Sequence, residues 1–279
     1  MKTKTKIILS ILSLITILIW ISVFSLPDKP NLKLVFCNVG QGDGVLIAKG
    51  TVQIIIDGGP NDKILDCISK HVPFWDRKIE LVVLTHPHAD HLTGLIKIFD
   101  QYEVQNYLAN EVDLDSTKSY NLLKEKIKNE NTKIIKPIIG SYFSFDGVIF
   151  KTIAPIESLI DANDLNTYSI VNKLTYGKFT SLLTGDIQEP ESDNLSTNNE
   201  IENIKILKLP HHGSDHGATD NLLSKVKPEV SVISVGKNSY GHPSNKIIEK
   251  LKSLGSKVIR TDEAGDVVID TNGLWYTIN

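Results

Sequence analysis

The stretch THPHADHLTG, which begins at Thr85, holds three histidines and an aspartate within six positions: His86, His88, Asp90 and His91. Imidazole nitrogens and carboxylate oxygens bind Zn²⁺ or Mn²⁺ at about 2 Å. In a loop leaving a strand, His86 and His88 point the same way. Asp90 and His91 turn into a helix and aim at a second point nearby. One loop can therefore supply two ligand pairs to two metals. A polar loop with ordinary hydrogen-bonded histidines does not account for four coordinating types at the end of so apolar a run as LVVLT.

Two metals need more ligands than one loop offers, and the chain supplies candidates at the ends of other apolar runs. Asp186 closes FTSLLTGD, and a carboxylate can bridge two ions. His211 and His212 follow IKILKLP, His242 follows VSVISVG, and Asp57 closes VQIIIDGG. Each is weak alone, since TGD is a common turn and a lone histidine is usually structural. Together they describe a cleft at the ends of several strands.

The elements that must position these residues read as an α/β chain. LKLVFCNV, GVLIAKG and VQIIIDGG are expected strands. A helix follows around Asn61–His71, and the fully apolar LVVLT is a strand buried on both faces. HLTGLIKIFD is expected to be helical. VIFKTIAP, YSIVNKLTYG and FTSLLTGD are three further strands, and QEPESDNLSTNNE is an exposed loop. IKILKLP, VSVISVG and KVIRTD are strands separated by helices near Ala218–Val226 and over Asn245–Leu254. DVVIDTNGLWYTI is a hairpin on an Asn272-Gly273 turn. The pattern implies two sheets covered by helices. Cys37 lies in an expected strand and Cys67 in an expected helix, so both read as buried thiols, although outside the cell they could pair.

Of the 279 residues, 41% are hydrophobic and 23% charged, ordinary globular values that suffice for one large core. Residues 1–28 read as a membrane anchor or signal segment and 29–279 as the globular domain. Residues 7–26 carry no charge and, as a helix, reach about 30 Å, the thickness of a bilayer core. Lys2, Lys4 and Lys6 precede them, which favours a cytoplasmic N-terminus and a domain on the outer side of the cell membrane. The apolar run exceeds that of a typical signal peptide, about 7–15 residues, so an uncleaved single-pass anchor is expected; cleavage would make the domain secreted. Past residue 28 there are 27 basic and 32 acidic residues, net −5, which is no footprint for tight duplex DNA binding.

HPHADH matches the HxHxDH signature of the metallo-β-lactamase superfamily, with IIIDGG before it and LLTGD after it. Within the superfamily the chain resembles the hydrolase domain of the competence DNA-internalisation protein ComEC and its stand-alone relatives. That resemblance rests on VGQGDGVLI, IDGG, LTHPHADHLTGL, NTYSIVNKLTYGKFTSLLTGD, LKLPHHGSDHG, VISVGKNSYGHPS and VIRTDEAGDV, from Val39 to Val267. It implies a four-layer αββα sandwich with two divalent ions, Zn²⁺ or Mn²⁺, at one sheet edge. His86 and His88 would hold one ion, Asp90 and His91 the other, and Asp186 would bridge. One of His211 and His212, with His212 favoured, would complete the second site while the other faces substrate. Asp57 would orient a ligand from behind. Many superfamily members carry a further histidine between HxHxDH and the bridging aspartate, whereas this chain has none between His91 and His211. Asn166 and Ser169 stand in that segment instead, which tilts the first site toward Mn²⁺ or a labile ion. Asn38 and Gly44 replace the acid and serine usual in the branch, at positions that hold no metal ligand.

The resemblance implies phosphodiester hydrolysis, the metals activating water and stabilising the phosphoryl oxyanion, with Asp90, Asp186 and His242 as catalytic residues. His242 would contact phosphate or protonate the leaving group; Asn166, Ser169, Ser214 and Asn238 would contact substrate. Single-stranded DNA is one expected substrate. Phosphocholine or other headgroup and wall phosphodiesters are the alternative, and a non-catalytic metal-stabilised binding module is a third reading. No protein partner is implied, and the membrane is met through residues 7–26.

Overall fold

The computed structural model describes residues 2–24, 31–112 and 117–279. The expected linker over residues 27–31, and the end of the apolar run, lie outside these except for Asn31. Residues 1–30 and 31–279 form two separate units. In the first, α1 (Lys2–Phe24) is a helix long and apolar enough to cross a membrane.

The second unit contains β1 (Leu32–Phe36), β2 (Gly44–Lys49), β3 (Val52–Gly58), β4 (Lys78–Ile79), β5 (Leu81–Val83), β6 (Glu103–Val104), β7 (Asn106–Leu108), β8 (Lys133–Ile135), β9 (Tyr142–Phe145), β10 (Val148–Ala154), β11 (Val171–Tyr176), β12 (Phe179–Leu183), β13 (Ile206–Lys208), β14 (Val230–Ile233), β15 (Lys257–Arg260), β16 (Val267–Thr271) and β17 (Tyr276–Ile278). The helices are α2 (Lys63–His71), α3 (Ala89–Gln101), α4 (Lys118–Asn129), α5 (Glu189–Ser196), α6 (Asp220–Val226), α7 (Asn245–Ser253) and the short α8 (Thr261–Ala264). One sheet has the order β17-β16-β1-β2-β3-β5-β7-β8, the other β15-β14-β13-β12-β11-β10-β9, and β4 pairs with β6 alone.

Period-2 alternation with both faces buried builds four layers. In β3, Ile54 and Ile56 point into the space between the sheets, where they join Phe36, Val83, Phe150 and Leu174. Ile55 points outward and packs with Leu92, Leu95 and Phe99 of α3. On the far side, Leu182 and Leu207 pack under Leu222, Leu223 and Leu251 of α6 and α7. The expected αββα sandwich is the observed one.

Glycine sets the closest approach. A Cβ on Gly58 would lie 2.4 Å from the backbone nitrogen of Leu95, and one on Gly94 2.0 Å from the Gly58 carbonyl oxygen. IDGG and HLTG therefore let α3 rest on the end of β3, which carries the histidine loop to the sheet edge.

Three local expectations are corrected. Cys37 and Cys67 form a disulfide, with Cα atoms 5.8 Å apart, instead of two free thiols; α2 crosses the end of β1 close enough to join them. The polar stretch after Asp186 is largely helical: Gln188 and Glu191 form a capping box, a proline occupies the first turn, and Glu191, Ser192 and Leu195 are buried. The final hairpin turns through four residues, 272–275, between the paired Thr271 and Tyr276, with the Asn272 carboxamide accepting from the amides of Leu274 and Trp275.

Candidate metal centre

The catalytic candidates meet at the C-terminal ends of the strands. Asp57 ends β3, Thr85 and His86 follow β5, Asp186 follows β12, His211 and His212 follow β13, and the 238–242 loop follows β14. Asp57, His211 and His212 have φ of 58°, 49° and 53°, left-handed values uncommon outside glycine. Such outliers each store about 1–3 kcal/mol and gather at functional sites.

Asp57 is the organiser. Its carboxylate accepts from the Thr85 amide at 2.8 Å, the Thr85 hydroxyl at 2.7 Å and His91 Nδ1 at 2.8 Å. With its Nδ1 proton committed, His91 presents Nε2, which lies 3.2 Å from Asp186 Oδ2 and 3.9 Å from Asp90 Oδ2. His212 is fixed in the same way, Nδ1 donating to the Ser234 carbonyl at 2.9 Å. Its Nε2 is buried and sits 3.1 Å from Asp186 and 3.3 Å from Asp90, in ion-pair range of both but in no well-aligned hydrogen bond. A buried imidazole nitrogen aimed between two carboxylates without a well-aligned hydrogen bond is what a cation would satisfy.

The ligand atoms of Asp90, His91 and His212 lie within 4.8 Å of one another, as do those of His86, His91 and Asp186. His86 Nε2 is 2.9 Å from His88 Nδ1. The structure thus brings His86, Asp90, His91 and His212 together around Asp186, with His88 next to His86 at the mouth. His211 does not converge with them. It lines the mouth, its ring centroid 5.6 Å from that of His242.

Sequence reasoning missed two residues at the floor. Asp43, from the GQGDG loop, ion-pairs with Lys208 of β13; the Lys208 ammonium also donates to the Gly185 carbonyl at 2.9 Å and lies 3.4 Å from Asp186 Oδ1. Asp43 Oδ1 is 3.5 Å from His212 Nδ1. The run IKILKLP carries both Lys205 and Lys208 and does not itself mark which is buried; Asp43 stands between two glycines. Asp43, Asp57, Asp90 and Asp186 place four carboxylates around one ammonium, a negative excess that charge on His91 and His212 offsets in part and that divalent ions are suited to balance.

The electrostatics follow. Burial disfavours charge on His91 and His212, yet Asp186, with Asp57 for His91, holds both imidazoles well above their ordinary range. Burial would raise Asp186, but His212, His91 and Lys208 hold it well below the usual carboxylate range. Burial pushes Asp57 up, despite His91. His86 is driven well down by burial and by the charge on His91.

Three residues expected to contact substrate have protein partners in the structure. Ser169 is fully buried, and its hydroxyl accepts from the Asp186 amide at 3.0 Å, 3.4 Å from His86 Nδ1, so it supports ligands from beneath. Asn238 spends its carboxamide inside its own loop: Nδ2 donates to the carbonyls of Gly236 and His242, and Oδ1 accepts from the amides of Tyr240 and His242. The Ser214 hydroxyl, itself buried, accepts from the amide of the exposed His216 within its own turn. Asn166 is buried with Oδ1 unpartnered. His242 does line the cleft, an opening of about 550 Å³ with His88, Asp90, His211 and Tyr240 on its walls.

A family model described as the metallo-β-lactamase superfamily matches residues 37–237. The chain belongs to the metallo-β-lactamase superfamily. Members of that superfamily are generally metal-dependent hydrolases. The chain is 27% identical over 255 residues to Recombination protein 2 of Haemophilus influenzae, covering 90% of this chain and 30% of that protein. It is 25% identical over 203 residues to ComE operon protein 3 of Bacillus subtilis, covering 70% of this chain and 26% of that protein. The competence-related resemblance is borne out, and the chain spans less than a third of the length of these two relatives. Among solved structures, the metallo-β-lactamase fold protein YhfI from Bacillus subtilis aligns with a TM-score of 0.60 at 14% identity, covering 89% of this chain and all of that one, which supports the fold alone.

Proposed function

We propose that this superfamily hydrolase is a dinuclear metal-dependent phosphodiesterase, anchored by α1 with its domain outside the cytoplasmic membrane and acting on single-stranded DNA. One observation carries the dinuclear reading: His86, with His88 against it, and the group Asp90/His91/His212 lie on the two sides of the buried Asp186 carboxylate. When bound, two divalent ions supply Lewis acidity to an attacking water and to the phosphoryl oxygens. The chain's residues do the rest. Asp57 and the Ser234 carbonyl orient the His91 and His212 rings, Ser169 holds the Asp186 backbone, and Lys208 neutralises Asp43 behind it.

At the rim, the Asn238 hydrogen bonds hold His242 over the cleft, where its imidazole can donate to a phosphate oxygen. Tyr240 is 74% exposed and stacks on His242 with centroids 6.0 Å apart. An exposed aromatic ring beside a phosphate-binding cleft favours a substrate with unstacked bases over a bare headgroup. Relatives associated with competence point the same way. The His86/His88 half has no further histidine, which favours Mn²⁺ or a readily exchanged ion there.

The test measures metal content and turnover of bis(p-nitrophenyl) phosphate for the full chain and for His88→Ala. Single-stranded DNA and a phosphocholine ester are then offered side by side with Mn²⁺. Two ions per chain, His88-dependent turnover and cleavage of DNA are expected. Stoichiometric metal without diesterase activity would overturn the enzyme; turnover of the ester with DNA untouched would overturn the nuclease.

A further inference from the structure

We propose that the end of the domain opposite the metal cleft is a membrane-docking face, seated on the bilayer surface through Phe74, Trp75, Leu274 and Trp275. This rests on the reading of α1 as a membrane anchor. The four side chains are among the most exposed large apolar groups of the domain, at 78%, 72%, 70% and 54%.

Strand register places them at one end. Leu32, the first residue of β1, pairs with Thr271, the last of β16, so the 272–275 turn projects beyond the start of β1. The Gly273 carbonyl accepts from the Lys178 amide in the turn that precedes β12. On the other side of the sheet, Asp76, next after Trp75, accepts from the Gln53 side chain near the start of β3. β16 and β3 are separated by β1 and β2, three steps of about 4.8 Å, so the two apolar tips lie about 15 Å apart in the sheet direction. The metal residues follow the opposite ends of β3, β5, β12, β13 and β14. A strand of the length of β3 separates the two ends by about 20 Å.

A bilayer fits this face better than another apolar partner for three reasons. The chain enters the domain here: Asn31 leads directly into Leu32, a few residues after the expected anchor in the sequence. Two of the four groups are tryptophans and one is phenylalanine, and Phe74 and Trp75 pack edge to face as one exposed unit; tryptophan favours the membrane–water interface. Arg77 and Lys178 are exposed beside the tips, cations suited to anionic headgroups. The neighbouring acids are restrained, Asp76 by Gln53 and Glu80 by Lys78.

Docking in this way turns the cleft toward the aqueous side. Headgroups of the same leaflet then lie at the wrong end of the sandwich, and a polymer arriving from solution meets the metal centre first. The substrate class singled out by this orientation is a soluble phosphodiester chain.

The experiment uses the full chain in phosphatidylcholine–phosphatidylglycerol vesicles whose acyl chains are brominated near the headgroup or deep in the core. Three versions each retain one tryptophan, Trp20, Trp75 or Trp275, the other two being phenylalanine. Loss of Trp75 and Trp275 emission to shallow bromines, with protection from aqueous acrylamide, is the expected result. Emission from either that acrylamide quenches and bromolipid does not would overturn the proposal. So would blue-shifted emission insensitive to bromolipid and accompanied by cross-linking between copies, the signature of a second chain on this face. Trp20 reports the anchor separately: quenching of Trp20 alone leaves the anchor and removes the docking face. An Ile138→Trp reporter in the tryptophan-free chain marks another exposed apolar group, near the cleft end; quenching there would reverse the orientation and overturn it. Phe74→Ser with Trp75→Ser should abolish the remaining shallow contact while leaving turnover of soluble bis(p-nitrophenyl) phosphate unchanged.

Discussion

Replacing Lys208 by methionine keeps most of the side-chain volume and removes the one ammonium at the floor of the centre. Lys208 and Asp43 are 2% and 3% exposed, so water cannot take over the lost charge. Breaking a buried pair from one side costs about 3–5 kcal/mol, because the partner is left charged and unpaired. For a folding unit of this size about 1 kcal/mol shifts Tm by about 2–4 °C, which places the expected loss for Lys208→Met between about 6 and 20 °C. Asp43→Asn alone should also destabilise, by leaving Lys208 to Asp186. The double variant removes both charges together and should recover more than half of the Lys208→Met loss. The assay is thermal unfolding of the full chain with a chelator present, then with Mn²⁺ added. Ions at the centre offset part of the missing charge, so the loss should shrink with metal. An unchanged Tm for Lys208→Met, or a double variant as unstable as the sum of the singles, would refute the reasoning.

Asp57→Asn should weaken metal affinity by about 10–100-fold, as for other groups that orient a ligating histidine; equilibrium dialysis against a chelator measures it, and unaltered affinity would remove Asp57 from its role. Asn238→Ala frees the loop that carries His242, so turnover should fall and KM rise with two ions still bound; a loss of metal would place Asn238 elsewhere. Reducing Cys37–Cys67, which closes a loop of 30 residues, should cost about 3.6 kcal/mol by chain entropy, read as the difference in unfolding with and without reductant. Burial would raise Asp266, but its bonds to Lys70 and the Asn38 amide hold it below its ordinary value of 3.8. Its contribution is therefore full above that value and is lost as pH falls through the lower folded one. Asp266→Asn should lower stability at neutral pH and flatten this acid limb.

How much of this was legible in sequence depended on whether a residue's chemistry is rare in its context. Four coordinating side chains in HPHADH, and Asp186 and His212 after apolar runs, are rare enough to read directly, and the strands that carry them follow from alternation. Lys208 was not legible, because a lysine at the end of a strand ordinarily points to water. Only its pairing with Asp43, from a loop distant in the chain, makes it part of the floor. Ser169 and Asn238 were readable as polar groups near the site but not in orientation. A short hydroxyl or carboxamide satisfies a backbone amide as well as it does a phosphate, and packing decides which. The Cys37–Cys67 bond depends in the same way on where α2 crosses β1. The α5 cap in QEPE was readable, and the surrounding polar composition concealed it.

The two halves of the centre differ in how firmly they are built. His91 and His212 each commit Nδ1 to a fixed acceptor, the Asp57 carboxylate and the Ser234 carbonyl, which leaves Nε2 aimed at Asp186 and Asp90. Neither ring can turn without abandoning a buried hydrogen bond, a cost of about 1–3 kcal/mol. His86 has only hydroxyls at Nδ1, Thr85 at 3.1 Å and Ser169 at 3.4 Å, and a hydroxyl can donate or accept. His88 is partly exposed at the mouth, with its Nδ1 against His86. The half that lacks a third histidine is therefore also the half whose partners are less firmly fixed. Asp186 joins a rigid site to an adaptable one, with Lys208 and Ser169 holding that carboxylate still between them.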